Sequence, residues 1–210
     1  MIRILIADDH AIVRRGLKEI ISETPDMLVA AEAESGYAAI QKVEENNYDV
    51  ILLDISMPGK NGLDILKQIK RKNPKLPILM LSVHPEEQYA VRSFRAGASG
   101  YLTKGSAPDE LIAAIRKISK GGKFVNASLA ERLVYELEPY NDKPRHQMLS
   151  DREYQVMCMF ASGKTLKEIA EELALSIQTI STYKTRILDK MGMHSIAEVI
   201  RYAVQYGLVE

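Results

Sequence analysis

Five short apolar runs alternate with amphipathic stretches over the first 120 residues of this 210-residue chain, and this alternation constrains the fold more than any other feature. Each run is followed by apolar side chains that recur at helical spacing, which predicts a helix after every strand. Strict alternation predicts an α/β fold: a doubly wound, five-stranded parallel sheet with helices on both faces. The predicted strands are Ile2–Ala7, Met27–Ala33, Val50–Asp54, Pro77–Leu81 and Gly100–Thr103.

The third run is the most informative, because it is apolar throughout and ends on an acid. Val50 to Leu53 form an unbroken apolar series, as expected for a strand buried on both faces, and Asp54 follows directly. Pro58 and Gly59 end the strand, and a helix is predicted from Gly62. Open α/β sheets bind ligands at the carboxyl ends of their strands, so Asp54 is a candidate site residue. The alternative is that Asp54 only caps the loop.

Other polar residues follow the remaining strands in the same way. Asp8 and Asp9 come after the first strand, Ser82 after the fourth and Lys104 after the fifth. Three carboxylates at one edge repel one another, and a hard cation such as Mg²⁺ would relieve that repulsion. Asp54 could then attack a phosphoryl group whose charge Lys104 neutralises and to which Ser82 donates a hydrogen bond. Taken singly, each residue could also be a turn residue, a strand-end cap or a surface lysine.

His10 directly follows the acidic pair and raises the alternative of a transition-metal site. No second histidine lies at ligand spacing, because His84, His146 and His194 are scattered along the chain. We therefore expect His10 to lie beside the site as a loop residue rather than to bind a metal.

Bulk composition excludes several classes of protein. The formal net charge is zero and 46% of the residues are hydrophobic, so no strong overall field favours nucleic acid or membrane. The sequence has no apolar run long enough to span a membrane and no signal-peptide pattern. The single cysteine, Cys158, excludes an intrachain disulfide, is expected in the core, and suits the reducing cytoplasm.

Strand patterns disappear after Leu149, and four helices are predicted instead. Ser150 and Glu153 have the spacing of a capping box at the start of the first. Two helices joined by a three-residue turn form a helix-turn-helix pattern in this smaller all-α region. We divide the chain into a domain at 1–121, a linker at 122–146 with a short helix at about 128–137, and a helical domain at 147–210. The four helices are predicted at 150–161, Leu166–Leu173, Ile177–Met191 and Ser195–Tyr206.

The third of these helices has one apolar and one polar face. Residues predicted to face the core are Ile177, Ile180, Ile187, Leu188 and Met191, and those predicted outward are Gln178, Ser181, Thr182, Thr185 and Asp189. Hydroxyl side chains on an exposed helix can approach base edges or phosphates. The domain carries seven basic against eight acidic residues, so charge alone does not favour DNA. From the residues themselves, DNA binding and a helical interaction module stay open.

Residues 1–121 resemble the receiver domain of two-component response regulators. The resemblance is carried by Asp8–Asp9, the D-x-x-M-P-G-x-x-G loop from Asp54 to Gly62, Ser82 and Lys104. It implies a flavodoxin-like fold in which Asp54 accepts a phosphoryl group. It also implies that Asp9, Asp54 and the backbone carbonyl of Ser56 ligate Mg²⁺, and that Asp8 acts through metal-bound water. Ser82 and Tyr101 would be the switch pair that responds to the phosphoryl group.

The region from Leu149 to Ser195 resembles the LuxR-type helix-turn-helix of the NarL/FixJ class. The resemblance is carried by the Leu149-Ser150-x-Arg152-Glu153 opening, Gly163, the Lys167–Ala170 run and the Thr179–Tyr183 run. Ala174 is a mild departure, because glycine is frequent in this turn. The implied base-facing residues are Ser181, Thr182 and Thr185, and the implied phosphate contacts are Lys164, Ser176, Thr179, Lys184 and Arg186.

Together these resemblances imply a cytoplasmic transcription regulator rather than an enzyme. A sensor histidine kinase or a small phosphodonor would phosphorylate Asp54, and a homodimer would then bind paired half-sites on double-stranded DNA. The final helix would pair the DNA-binding domains, RNA polymerase is a further candidate partner, and no membrane partner is expected. Two alternatives are an aspartyl-phosphate phosphohydrolase and a DNA-binding protein that ignores phosphorylation. The phosphohydrolase usually has a second acid where this chain has Ser56.

Overall fold

A computed structural model of the chain describes residues 1–58, 61–83, 86–125, 129–131 and 144–209, with the backbone alone at 86–88. The chain divides into two compact units, Met1–Leu133 and Val134–Glu210. The loop residues Gly59 and Lys60, and most of the short helix predicted at about 128–137, lie outside the described residues. Within the described residues, no helix is both long and apolar enough to cross a lipid bilayer.

The first unit is a five-stranded parallel sheet with helices between successive strands, which confirms the predicted α/β fold. The strand order is β2-β1-β3-β4-β5, the flavodoxin-like order. Every predicted strand is present, with ends shifted by at most one residue. The strands are β1 (Ile2–Ala7), β2 (Met27–Ala33), β3 (Val50–Asp54), β4 (Ile78–Ser82) and β5 (Gly100–Thr103). The helices are α1 (Ala11–Ser22), α2 (Gly36–Glu45), α3 (Gly62–Lys72), α4 (Glu86–Arg95) and α5 (Pro108–Ser119).

One core layer of this unit lies between one face of the sheet and helices α1 and α5. Alternate residues of each strand point into it, among them Ile4 and Ile6 of β1 and Leu52 of β3. Helix α5 contributes Ile115 and Ile118, which are also buried. All five residues of β3 are buried, as its unbroken apolar sequence predicts.

The strand order places β1 and β3 side by side at the point where the winding of the sheet reverses. β2 lies on the outer side of β1, whereas β4 and β5 extend the sheet beyond β3. The carboxyl ends of two strands that diverge in this way border an open crevice. Asp8 follows β1 and Asp54 ends β3, so both carboxylates are delivered to this crevice.

The second unit contains helices only among its described residues. A 3₁₀ helix at Arg145–Met148 precedes α6 (Asp151–Ala161), α7 (Leu166–Glu172), α8 (Ile177–Met191) and α9 (Ile196–Gln205). The predicted capping box of Ser150 with Glu153 is present at the start of α6. Ser176 caps α8 as predicted, by accepting a hydrogen bond from the backbone N–H of Thr179. The cysteine of α6, Cys158, is buried as predicted.

The orientation of α8 matches the prediction except at its first residue. Ile180, Ile187 and Met191 are buried, and Leu188 is half-buried. The inward prediction for Ile177 is wrong, because this side chain is 53% exposed. Helical spacing identifies the side on which a residue lies, but the burial of the first residue of a helix depends on which neighbouring elements reach it.

Two residues predicted to belong to the linker contact the helices of the second unit. Arg145 donates a hydrogen bond from Nη1 to the backbone carbonyl of Met191 at 2.9 Å, at the last turn of α8. The Nδ1 atom of His146 lies 3.0 Å from the hydroxyl of Tyr202 on α9. The ordered helical unit therefore begins before the position at which the helix pattern becomes visible in the sequence.

Candidate functional site

The crevice of the first unit gathers an acidic cluster around one lysine. Asp8 and Asp54 are each 1% exposed. The Nζ atom of Lys104 lies 2.7 Å from Oδ2 of Asp8 and 3.0 Å from Oδ1 of Asp54. Side chains from the ends of β1, β3 and β5 therefore meet within hydrogen-bond distance, as their positions in the sequence predict.

This cluster contains more carboxylates than cations. Burial raises the pKa of Asp54, the charge of Asp8 raises it further, and Lys104 opposes both effects without cancelling them. Burial lowers the pKa of Lys104, but the charges of Asp54 and Asp8 outweigh burial and keep the ammonium protonated. One ammonium therefore lies between two buried carboxylates, with Asp9 close by.

The loop after β1 is fixed by hydrogen bonds to Asp8. The backbone N–H of His10 donates to Oδ1 of Asp8 at 2.8 Å, and Nη1 of Arg14 donates to its carbonyl oxygen at 2.8 Å. Arg14 was not among the predicted site residues. Its position in the first turn of the helix that follows the acidic pair is the signal that could have identified it.

The loop after β3 returns tightly against the end of its own strand. The N–H of Gly62 donates to the carbonyl of Ile55 at 2.9 Å. A β-carbon at Gly62 would lie 2.2 Å from the carbonyl oxygen of Asp54, so only glycine fits there. Asn61 then caps α3 by accepting a hydrogen bond from the N–H of Leu63 at 2.9 Å. This close return determines the position of the Asp54 backbone.

The carboxylates are placed so that a hard cation fits between them. Asp8, Asp9, His10 and Asp54 each offer one ligand atom, and these atoms all lie within 4.8 Å of one another. The Oδ2 atom of Asp54 is buried and accepts no side-chain hydrogen bond from the described residues. Clustered carboxylate oxygens that lack donors are suitable ligands for Mg²⁺.

His10 lies nearer to this cluster than the sequence indicated. Its Nδ1 atom is 2.9 Å from Oδ1 of Asp9 and 3.3 Å from Oδ1 of Asp8. Its side chain is mostly exposed, and the prediction that it lies beside the site without binding a metal stays a prediction.

The remaining predicted residues of the first unit lie next to the cluster. Ser82 ends β4 and is fully buried, and Ser56 follows β3 by two residues. Tyr101 on β5 is 1% exposed, so its ring is directed inward in this conformation. Ser82 pairs in register with Thr103, and Met80 pairs with Tyr101, so both members of the predicted switch pair lie on adjacent strands.

In the second unit, α8 presents a polar face to solvent. Gln178, Thr182 and Thr185 are exposed, and Ser181 is half-exposed. Their spacing of three and four residues places Gln178, Thr182 and Thr185 on one stripe of the helix. Arg186 is exposed beside this stripe, whereas Lys184 is half-buried and lies one turn after the buried Ile180. The predicted base-facing residues thus occupy an accessible helical surface.

The predicted phosphate contacts near the start of α8 already interact with one another. The hydroxyl oxygens of Ser176 and Thr179 lie 2.8 Å apart. Lys164 forms an ion pair with Glu172. Exposed ion pairs of this kind contribute little free energy, so this one does not prevent Lys164 from contacting a phosphate.

An α/β unit with an acidic crevice, followed in the chain by a helix-turn-helix unit, is typical of signal-dependent DNA-binding regulators. Residues 4–116 match the family described as "Response regulator receiver domain". Residues 147–203 match the family described as "Bacterial regulatory proteins, luxR family". The chain belongs to the response regulators with a LuxR-type DNA-binding domain, the NarL/FixJ type, and it is a transcription regulator controlled by phosphorylation.

Relatives and solved structures match nearly the whole chain. The response regulator UvrY of Escherichia coli K12 is 36% identical over 209 residues, which covers 99% of this chain and 96% of UvrY. RcsB of Salmonella enterica serovar Typhimurium, bound to promoter rprA with the phosphomimetic BeF₃⁻, is 27% identical with a TM-score of 0.64. That match covers 96% of this chain and 97% of RcsB. A structure of two RcsB dimers on two parallel DNAs is 29% identical with a TM-score of 0.59, covering 100% and 99% of the two chains.

Proposed function

We propose that Asp54 is the residue that accepts the phosphoryl group, from a sensor histidine kinase or from a small phosphodonor. The observation that carries this proposal is the position of its carboxylate. It lies buried at the reversal point of the sheet, 3.0 Å from the ammonium of Lys104 and beside Asp8. Its Oδ2 atom is buried and accepts no side-chain hydrogen bond from the described residues, so this oxygen is available as a nucleophile.

The transfer is a displacement at phosphorus. A carboxylate oxygen of Asp54 forms a bond to phosphorus, and the bond between phosphorus and the donor atom breaks, with its electron pair leaving on the donor. Lys104 neutralises negative charge on the phosphoryl oxygens. Asp9, Asp54 and the backbone carbonyl of Ser56 would hold Mg²⁺ directly, and Asp8 would act through metal-bound water. When bound, the ion would supply further charge neutralisation.

Ser82 and Tyr101 are proposed to sense the product. The hydroxyl of Ser82 is close to the crevice at the end of β4 and donates to the phosphoryl group. Phosphorylation adds roughly 1.5–2 negative charges to this edge. A two-state arrangement of Ser82, Tyr101 and α4 then transmits the change.

The proposed output is a homodimer that binds paired half-sites of double-stranded DNA in the cytoplasm and acts on RNA polymerase. Its contacts to bases are Ser181, Thr182 and Thr185, and its contacts to phosphates are Lys164, Ser176, Thr179, Lys184 and Arg186. The promoter complex of RcsB with BeF₃⁻ and its dimers on DNA support this proposal. On α9, Val204 is 55% exposed while Val199 and Ala203 are buried, so only part of its apolar surface is available for pairing.

Labelling by a radioactive small phosphodonor with Mg²⁺ tests the role of Asp54. Wild-type protein should take up label that hydroxylamine releases, as an acyl phosphate does, and Asp54→Asn should take up none. Asp26→Asn is the matched control, because Asp26 is a half-exposed aspartate of the same unit that forms an ion pair with Arg116. Equal labelling of wild type and Asp54→Asn would refute the assignment.

Selection of bound fragments from random DNA, with and without the phosphodonor, tests the output. A recovered motif with two related half-sites is expected, and its enrichment should increase with phosphorylation. Thr182→Ala should weaken binding to that motif. Recovery of no motif under either condition would refute specific DNA binding, and steady turnover of phosphomonoesters would favour a phosphohydrolase.

A further inference from the structure

The two exposed threonines of the polar stripe on α8 use their hydroxyl protons within the helix. Oγ1 of Thr182 donates to the backbone carbonyl of Gln178 at 2.9 Å, and Oγ1 of Thr185 donates to that of Ser181 at 3.2 Å. Threonine has this option because its hydroxyl reaches the carbonyl four residues earlier. Both side chains remain exposed, so the rest of each is free to meet a ligand.

This hydrogen bond changes what each threonine offers to DNA. A hydroxyl ordinarily provides one donor and two acceptor sites, and here the donor is already used. What remains accessible is an oxygen that only accepts hydrogen bonds, together with a methyl group. The base edge that best matches a methyl group in the major groove is the C5-methyl of thymine. The edge that matches worst is guanine, whose N7 and O6 atoms both require a donor.

We propose that Thr182 and Thr185 read thymine in the major groove through their methyl groups and select against guanine at the bases they face. This inference rests on the proposed DNA-binding function and adds the kind of base that α8 recognises. Gln178 supports it, because it lies one turn before Thr182 on the same stripe and is exposed. A glutamine amide pairs with adenine N6 and N7, so the whole stripe is suited to A·T pairs.

The other polar groups of the helix leave this assignment unchanged. Arg186 is the cation beside the stripe, whereas Lys184 lies one turn after the buried Ile180, away from Thr182. Ser176 and Thr179 interact with each other at the start of the helix. Recognition of guanine by α8 would therefore have to come from another donor of the helix, such as Arg186, Ser181 or Gln178, and not from the two threonines.

Replacement of thymine by deoxyuridine, which lacks the C5-methyl group, tests the inference. The probe is the DNA motif recovered by selection with wild-type protein, in which each thymine is replaced in turn by deoxyuridine. Loss of one buried methyl contact should weaken binding of the wild-type protein about fourfold at one or two positions of each half-site. Thr182→Ser keeps the hydroxyl but lacks the methyl, and it should lose the discrimination at one of these positions.

Two further variants separate the methyl from the hydroxyl and from general damage. Thr182→Val keeps a methyl group and lacks the hydroxyl, so it should still prefer thymine over deoxyuridine. Thr24→Ser removes the same methyl from a threonine of the first unit whose hydroxyl donates to the carbonyl of Ile21 at 2.7 Å. This control should bind every probe as wild type does.

The outcomes distinguish the inference from the proposed function. If wild-type protein selects a motif but binds all deoxyuridine probes equally well, or if Thr182→Ser and Thr185→Ser both retain the full discrimination, the inference is wrong while DNA binding stands. If no motif is recovered at all, the proposed function fails first. A guanine that strengthens binding of the wild-type protein but not of Thr182→Ala would also overturn the inference.

Discussion

At the scale of single residues, the environment of Asp54 disfavours the ionised form of its carboxyl group. Its pKa is raised above the ordinary value of 3.8, because it is buried and faces Asp8. A carboxyl group with a raised pKa in the folded protein destabilises the fold once the pH exceeds its unfolded pKa. At neutral pH the ionised Asp54 therefore lowers the free energy of unfolding of the first unit. A bound cation would offset this loss.

We predict that Asp54→Asn makes the metal-free protein more stable at pH 7. The free energy of unfolding should rise, because the neutral amide removes a charge that burial and Asp8 disfavour and that Lys104 only partly offsets. Denaturant unfolding followed by circular dichroism measures it. In millimolar Mg²⁺ the difference in stability should shrink or reverse, because only the wild-type protein has all the carboxylates that would bind and be stabilised by the cation. A less stable Asn variant without metal would contradict this account of the crevice.

Ala174, in the turn between α7 and α8, carries the backbone strain of the second unit. Its φ is +51°, and it is the one residue other than glycine with positive φ among the described residues. A left-handed conformation costs an alanine roughly 1–2 kcal/mol, which glycine avoids at the expense of greater freedom in the unfolded chain. The departure from glycine noted in the sequence thus has a measurable physical cost.

We predict that Ala174→Gly raises the free energy of unfolding of the second unit by about 0.5–1 kcal/mol. The measurement is thermal or denaturant unfolding followed through the amide signals of α6–α9. Ala197→Gly is the matched control, because Ala197 is an exposed helical residue of α9 at which glycine should lower stability by up to about 1 kcal/mol. Destabilisation by both changes would show that the turn is not strained.

At the scale of elements, an ion pair between Lys190 and Glu153 connects α8 to α6. Nζ of Lys190 lies 2.6 Å from Oε2 of Glu153, and the N–H of Ser150 donates to the same oxygen at 2.8 Å. Burial raises the pKa of Glu153, but the hydrogen bonds from Lys190 and Ser150 outweigh burial and lower it. A lowered pKa means that this carboxylate adds stability above its unfolded pKa and loses it as the pH falls through the folded value.

We predict that the second unit loses stability on acidification below about pH 4.5, the ordinary value for this side chain. Glu153→Gln keeps the capping box, since glutamine also suits its position, but it removes the ion pair. It should cost roughly 1 kcal/mol at pH 7 and flatten the dependence on pH between 5 and 3. Unfolding across that range, followed by the amide signals of α6–α9, provides the measurement.

A glutamate with a weaker partner provides the control for that comparison. Glu171 is exposed and lies 3.9 Å from Lys167 on the same helix. Glu171→Gln should leave both the stability at pH 7 and its pH dependence nearly unchanged. If it behaves as Glu153→Gln does, the acid sensitivity belongs to the general charge of the domain and not to this pair.

The elements were predictable from the sequence to the extent that their signals are local. The apolar run predicts the boundaries of β3, and the capping box predicts the start of α6. The positions of Asp54 at the end of β3 and of Lys104 directly after β5 follow from the alternation of strands and helices. Arg145 was assigned to the linker because its contact is the carbonyl of Met191, 46 residues further along the chain. His10 was placed beside the site, since nothing in the sequence gives the direction of its ring. A periodic sequence pattern predicts neither contacts between residues distant in the chain nor the orientation of a side chain.

At the scale of the whole molecule, the chain joins an acidic crevice in the first unit to a helix-turn-helix in the second, and we propose that the crevice binds a cation and a phosphoryl group. Any ligand that binds only the folded first unit must stabilise it by mass action. Under the proposed function, Mg²⁺ with BeF₃⁻, a mimic of the phosphoryl group, is the ligand expected to bind at Asp54 and Lys104. The crevice can therefore be titrated without a kinase.

We predict that Mg²⁺ with BeF₃⁻ raises the free energy of unfolding of the first unit by about 2.7 kcal/mol at a hundredfold excess over the dissociation constant. Slowed amide exchange in β1, β3 and β4 measures the gain. Lys104→Met should reduce it, since the ammonium that neutralises the bound anion is absent. A full gain in Asp54→Asn would show that the anion binds elsewhere.

The buried cysteine of α6 has a practical consequence for work on this chain. Cys158 is the only thiol in 210 residues and is 2% exposed, so reagents in solution reach it poorly. A second cysteine placed on any exposed position would react alone. Spectroscopic probes can thus be attached singly to either unit without first altering the native chain, and distances between pairs of probes can follow the protein from its resting to its phosphorylated form.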